Sequence, residues 1–403
     1  MPVNPLIRIL CSLRLTLVLL VAGLILVFLG TMAQEPLGLY LVQARFFHSF
    51  FVDAAAMNAA IRKSLQLVMI YVTPLSAAQV QAAPWIPVFP GGYLIGGVLV
   101  VNLIAAHLQR FKFTRRKAGL FFVHAGLILL LIGQLFTDQL ANETSMRLAE
   151  GETKNYTESD RRNELAITDV TDPAKDRVVV IPESSLARKA ELPVAGLPFS
   201  VRVREYFANS FVTNRVGGFT NSLPLANKGA GARLHVEEVP RVTSMDLRDV
   251  PSASVELVSP EGSLGTWLVS GYLDRQSFDY KGRTYTMALR LERHYLPFSL
   301  TLLDFRHDKY KGTEIPRNFS SQVRLQNPSM REDREVLIYM NSPLRYAGRT
   351  FYQASFVGED VTILQVVENP SWLAPYVACI LVGAGLVVQF LTHLVGFIKR
   401  RTA

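Results

Sequence analysis

Residues 115–135 read RRKAGLFFVHAGLILLLIGQL, and the class of the whole protein turns on how that stretch is understood. Three consecutive cations precede an almost uninterrupted apolar run, Ala118–Phe136, whose 19 residues are enough to cross the ~30 Å hydrocarbon core of a bilayer. One titratable ring, His124, sits near the start of the run. Three further stretches have comparable character: Leu15–Ala33, Tyr93–Leu108 and Leu373–Ile398. The second is the shortest and carries Asn102 and His107. A mean hydropathy of +0.22 over 403 residues agrees with a chain that buries much of its apolar surface in lipid.

The formal charge of +9 is informative by location. Arg8 and Arg14 precede the first span, Arg110, Lys112, Arg115, Arg116 and Lys117 separate the second from the third, and Lys399, Arg400 and Arg401 follow the fourth. No Asp or Glu interrupts these segments, and the rest of the chain is close to neutral. This is the positive-inside pattern, so the basicity implies membrane lipids and no nucleic acid. It predicts four transmembrane helices with both termini cytoplasmic and residues 34–92 and 139–371 on the far side. GTMAQ at 30–34 imitates a signal-peptidase site, but the long apolar run before it reads as a retained anchor.

The expected organisation is a cytoplasmic N-terminus and first span over 1–33, then an extracytoplasmic loop over 34–92. The Ala-rich part of that loop, after Asp53, predicts an interfacial helix. The second span, basic loop and third span follow over 93–138. Residues 139–371 form the large domain, and 372–403 the last span and basic tail. Within 139–371, short β-type runs such as RVVVIP (177–182), SVELVSP (254–260), YTMALRL (285–291) and FSLTLLDF (298–305) are separated by turn clusters such as DYKGR (279–283). That rhythm predicts an all-β domain, sandwich or barrel-like. GGFTNSLPLANKGAGA (217–232) reads as its longest loop.

Chemistry is constrained mainly by absence. Cys11 and Cys379 are the only cysteines and both belong to the helical part, so the large domain has no disulfide and the chain no C-x-x-C for thiol exchange. Nucleotide-binding glycine loops, H-E-x-x-H and G-x-S-x-G are missing. What remains is imidazole. His107, His124 and His393 lie in or at the ends of spans, where a titratable group is costly and faces the bundle interior. Counted from the nearest cation, His124 lies roughly 10 Å and His393 roughly 9 Å into the membrane at 1.5 Å per residue, which predicts similar depths. Two roles are open for such a ring: an axial ligand for haem iron, or an inter-helix hydrogen bond, to Thr392 or Gln134 for example. His48, His235, His294 and His307 show no metal-ligand spacing and read as surface or core residues.

FSLTLLDFRHDKYKGTEIPRNFSSQVRL (298–325) and IYMNSPLRYAGRTFYQASF (338–356) closely resemble the ResB/CcsB-type cytochrome c biogenesis proteins. The second stretch is the more specific, through its N-x-P-L-R-Y-x-G-x-x-F-Y-Q-x-S core. HAGLILLLIGQL (124–135) is similar to that family's third span and SLRLTLVLLVAGLILVFLGTMAQ (12–34) to its first. The similarity is piecewise, in order over nearly the whole chain, with about 200–290 outside it.

The resemblance implies a four-span protein of the bacterial inner membrane with a periplasmic domain. It implies a ResC/CcsA-type membrane partner, haem b as cargo and ligand, and apocytochrome c as the acceptor. It also implies an axial haem ligand at His124; for His393 and His107 only depth argues. Trp85, Trp267 and Trp372 are scattered, so the tryptophan-rich segment of the partner half is not in this chain. Around the turn expected at Gly348, Tyr346, Phe351 and Tyr352 either pack the β core or touch haem or partner, and Arg345 and Arg349 are expected to pair with haem propionates or to touch the partner. No nucleophile marks the chain as an enzyme alone, so it is at most part of a haem-lyase complex. The alternatives are a scaffold that binds no haem, stabilises the partner and holds apocytochrome through the β domain, and a small transporter subunit.

Overall fold

The computed structural model describes residues 5–110, 114, 117–215, 225–312 and 316–401. Lys112, Arg115 and Arg116 of the basic loop and the start of the long glycine-rich loop lie outside the described residues. The chain divides into two compact units, one of Met1–Asn142, Thr243–Met245 and Glu368–Ala403, the other of Glu143–Val242 and Asp246–Val367.

The first unit contains four helices long and apolar enough to cross a membrane: α1 (Leu13–Leu37), α3 (Gly92–Arg110), α4 (Ala118–Leu140) and α5 (Ala374–Arg401). All four apolar stretches read from the sequence are therefore helical, each extended by a few residues. Asn102, which weakened the second stretch as a span, is fully buried and satisfied. It accepts from the Thr16 hydroxyl at 2.6 Å and donates to the carbonyls of Leu10 and Ser12 at 2.6 and 3.2 Å. One side-chain amide thus serves the backbone at the break between the short helix Pro5–Leu10 and α1, and a buried polar group with partners carries no large penalty.

Helices α4 and α5 pack antiparallel through glycines. Gly119, Gly126 and Gly133 recur every seven residues of α4 and are buried. A Cβ on Gly119 would lie 2.5 Å from the Gly385 carbonyl oxygen, and one on Gly126 would lie 2.8 Å from that of Ala378. Small residues let two apolar helices approach until backbone meets backbone, which is the contact available where lipid is as apolar as leucine. The Ala-rich segment forms α2 (Ala54–Leu65), capped by the Asp53 carboxylate on the Ala55 and Ala56 N–H groups. Its Ala56, Ala59 and Ala60 are fully buried with Leu26, Ala33 and Leu37 of α1.

The second unit is all-β. A ten-stranded sheet runs β10–β9–β8–β2–β1–β13–β12–β11, with β7 added to β8 and β3 to β2. These strands are β1 (Asn142–Ala149), β2 (Thr153–Asp169), β3 (Arg177–Pro182), β7 (Gln276–Tyr280), β8 (Arg283–Lys309), β9 (Pro316–Asn327), β10 (Glu332–Tyr339), β11 (Leu344–Tyr346), β12 (Arg349–Val357) and β13 (Val361–Glu368). Its edges meet at a bridge between Tyr339 and Ser342, so the sheet is nearly a closed barrel. A smaller sheet joins β4 (Ser200–Phe207), β5 (Ser252–Ser259) and β6 (Gly262–Ser270) with the short strand Glu191–Leu192.

The expected YTMALRL and FSLTLLDF runs are one strand of 27 residues, β8. It serves two cores by changing which parity points inward. Tyr285, Met287 and Leu289 face a first core with Val201, Val255 and Val269 of the smaller sheet. After register shifts between Leu291 and Arg293 and between Tyr295 and Leu300, the inward residues are Leu296, Phe298, Leu300 and Leu302. These fill the barrel with Val323, Ile338, Phe351 and Leu364. Each shift sets a step of two residues on one strand against five on the other, and an odd number of extra residues turns the later side chains to the other face.

Candidate functional site

Helices α3 and α4 bring two of the three span histidines together. The rings of His107 and His124 lie 5.5 Å apart between centroids, inclined by 30°. Phe121 closes on His107 at 5.3 Å and Phe122 stands edge-on to Phe121, so two aromatic rings of GLFFV (119–123) stand at the imidazoles. Both histidines are half-buried.

The His124 ring is oriented by its own helix. Nδ1 lies 2.8 Å from the Leu120 carbonyl oxygen, one turn earlier. A carbonyl can only accept, so Nδ1 carries the proton and the lone pair of the neutral ring is on Nε2. This is the arrangement that prepares an imidazole to coordinate a metal, since a hydrogen bond at one nitrogen fixes the ring and makes the other a better donor. The alternative partner Thr392 is engaged elsewhere, its hydroxyl donating to Val388 at 2.8 Å.

His393 does not join the pair. Gly119 faces Gly385 and Gln389, and Gly126 faces Ala378 and Val382. Continued along α5, that register puts His393 about 15 Å beyond His124 toward the basic ends. The expected equal depths are thus corrected. Counting from the nearest cation assumes that all basic residues lie in one plane, whereas the 28-residue α5 outreaches the 23-residue α4. His393 is exposed, and its Nε2 lies 2.8 Å from the Gln389 amide.

The N-x-P-L-R-Y-x-G-x-x-F-Y-Q-x-S stretch forms the hairpin β11–β12. Leu344 pairs with Phe351, Arg345 with Thr350 and Tyr346 with Arg349. The two turn residues, Ala347 and Gly348, have φ of 48° and 76°, the left-handed pair of a type I′ turn, so Gly348 is the turn glycine expected. An alanine there is strained, and Ala347→Gly is expected to raise stability by roughly 0.5–1 kcal/mol. A thermal melt of the detergent-solubilised protein would show this as a higher midpoint; a fall would refute the turn assignment.

The register separates the residues singled out around this turn. Tyr346 and Arg349 share the inward face with Leu344 and Phe351, while Arg345 and Tyr352 share the outer one, at exposed positions. The Tyr346 ring stands edge-on to Phe298 at 4.9 Å. Its hydroxyl donates to the Glu332 carboxylate at 2.6 Å and accepts from the Asn327 amide at 2.9 Å. That hydrogen bond, helped by Arg334, holds the Glu332 carboxyl below the usual carboxylate range. Gln353 joins the hydroxyls of Ser321 and Thr362, both fully buried. Much of the motif is therefore explained by folding: Leu344 and Phe351 fill the core, Tyr346 and Gln353 satisfy polar groups, and Gly348 turns the chain.

One cluster escaped the sequence reading. His48 meets Tyr93 and Asp138 at the ends of α3 and α4 opposite the basic loop. The three are 45 residues or more apart in pairs, and no local spacing announces them.

Residues 276–363 match the family model for the ResB-like family. The matched region runs from β7 into β13 and contains the hairpin just described; the span histidines lie outside it. The chain is also similar to Protein NrfI of Wolinella succinogenes, with 27% identity over 301 residues. The alignment covers 73% of this chain and 29% of that protein, so the chain spans less than a third of the length of the relative it matches. Both findings agree with the resemblance carried by residues 298–325 and 338–356, and they support a ResB/CcsB-type protein.

Proposed function

We propose that this chain is a membrane subunit of a cytochrome c biogenesis machinery, and that His124 is an axial ligand of haem b handled within the membrane. The reading is carried by the His124 ring. Its Nδ1–H is committed to Leu120, Nε2 is left as the donor atom, and it stands beside a second imidazole and an aromatic wall. Haem is the cargo here, and the chain's part is to hold iron by nitrogen in a setting where a bare ring would be costly. The partner is a ResC/CcsA-type subunit, and apocytochrome c is the acceptor. The distribution of cations supports a basic loop and tail in the cytoplasm and a β domain in the periplasm of a bacterial inner membrane.

The test is an absorbance spectrum of the chain purified with its partner subunit. His124→Gly is expected to remove most of the Soret band, and added imidazole to restore it by occupying the vacated volume. A Soret band that survives the substitution unchanged would end the ligand assignment.

A second reading is favoured by one observation: the family match lies wholly in the β domain. On that reading the helices only anchor the domain, which braces the partner or holds apocytochrome without touching haem. A colourless chain that still supports cytochrome maturation would select it.

A further inference from the structure

We propose that His48, oriented by Asp138, is an acid–base site at the helix ends opposite the basic loop, acting on a thiol; this rests on the cytochrome c biogenesis reading.

The segment that carries the ring is tightly placed. A π-helical turn, Gln43–Phe47, ends at His48, and such turns recur at functional sites. The following backbone seats against Gly91 and Gly92 at the start of α3. A Cβ on either glycine would come within 2.3 Å of the Ser49 or Phe47 carbonyl oxygen. Gly91 N–H donates to Phe50 at 2.8 Å and Tyr93 N–H to Ser49 at 3.1 Å.

The cluster so formed has the parts of a proton-transfer site. His48 Nε2 lies 3.3 Å from Asp138 Oδ1. The other carboxylate oxygen accepts from the Tyr93 hydroxyl, and from the Gln139 amide at 3.3 Å. The rings of His48 and Tyr93 stack at 5.8 Å and 5°, with Phe50 edge-on to Tyr93. Arg45, one turn before His48, pairs with Asp53 at 3.1 Å. The His48–Asp138 contact is an ion pair through Nε2, and the other ring nitrogen, Nδ1, has no hydrogen-bond partner among the described residues. The His48 side chain is 49% exposed, against 19% for Asp138. A ring serving only to tie the loop down would need no accessible nitrogen. A carboxylate in contact with a half-exposed imidazole is an arrangement suited to moving one proton.

The site is separate from the imidazole pair. Fourteen residues of α3 separate Tyr93 from His107, and fourteen of α4 separate Asp138 from His124, about 21 Å along each helix. Joining a cysteine thiol to a porphyrin vinyl group breaks the S–H bond and the vinyl π bond and makes a C–S and a C–H bond. One proton moves from sulfur to carbon, and nothing is oxidised or reduced. His48 accepts that proton at Nδ1 and returns it to the terminal vinyl carbon.

The experiment measures thioether formation by the intact complex with its partner and a C-x-x-C-H acceptor, between pH 5 and 9. His48→Gln keeps an amide donor for Asp138 but cannot shuttle a proton. It is expected to slow thioether formation about 100-fold at unchanged haem content, and to remove a limb from the pH profile. Asp138→Asn is expected to displace that limb. A His48→Gln complex with the wild-type rate and profile overturns the proposal. So does one in which haem content and protein level fall in step with the rate, which identifies a structural tie. A wild-type complex that binds haem yet forms no thioether removes the biogenesis reading itself, and the proposal with it.

Discussion

Leucine at Gly126 is expected to force α4 and α5 apart and to cost roughly 2–4 kcal/mol, with Gly119→Leu at least as damaging. The reason is what the new atoms meet. At Gly119 even a methyl would lie 2.5 Å from the Gly385 oxygen and 2.6 Å from the Gln389 nitrogen, and backbone cannot rotate aside as a side chain can. The glycines of the spans form an internal series. Gly133 meets only the Ala374 side chain, at 2.9 Å, so Gly133→Ala should cost less than Gly119→Ala. Gly96 of α3 has nothing within 4 Å, so Gly96→Ala should be neutral or stabilising by about 0.5–1 kcal/mol. Denaturant titration in mixed micelles measures all four. Equal effects at Gly119 and Gly96 would show that these helices do not pack as described.

The other large effect belongs to the barrel core. Phe351→Ala is expected to destabilise the protein by about 3–5 kcal/mol, since the ring is fully buried among Phe298, Leu344 and the surrounding strands. Tyr352→Ala, one residue on but facing outward, should cost less than about 0.5 kcal/mol. If Tyr352→Ala nevertheless weakens association with the partner subunit, the outer face of the hairpin is the recognition face. A Phe351→Ala protein with an unchanged melting transition would contradict the register of β11 and β12.

The contrast between these neighbours shows how far a motif can be read. F-Y-Q at 351–353 stands out as a block, and a block suggests one role. Period-two geometry divides it, Phe351 and Gln353 inward and Tyr352 outward. The strand β2 shows the opposite limit. Its TKNYTESDRRNELAITD is too polar to announce a strand of 17 residues, yet it pairs with β8 along most of its length. Pairing with a neighbour, more than intrinsic preference, makes it a strand.

The same division holds for the candidate site. An imidazole in an apolar run is visible at once, because lipid makes a polar group conspicuous. Its partner is not. That His107 is the ring beside His124, and that His393 is displaced by about 15 Å, depends on how helices of unequal length pair. His48, Tyr93 and Asp138 were invisible for a related reason, each being unremarkable within its own segment.

By itself, then, the sequence determined that four apolar helices and an all-β domain share this chain, and which stretches marked its relatives, because burial in lipid and strand alternation are written in local patterns of period and polarity. The tertiary structure alone decided which histidines meet, which carboxylate holds which ring, and where β8 changes face. Those outcomes follow from helix register, backbone contact at glycines and shifts in strand register, each set by atoms far apart along the chain.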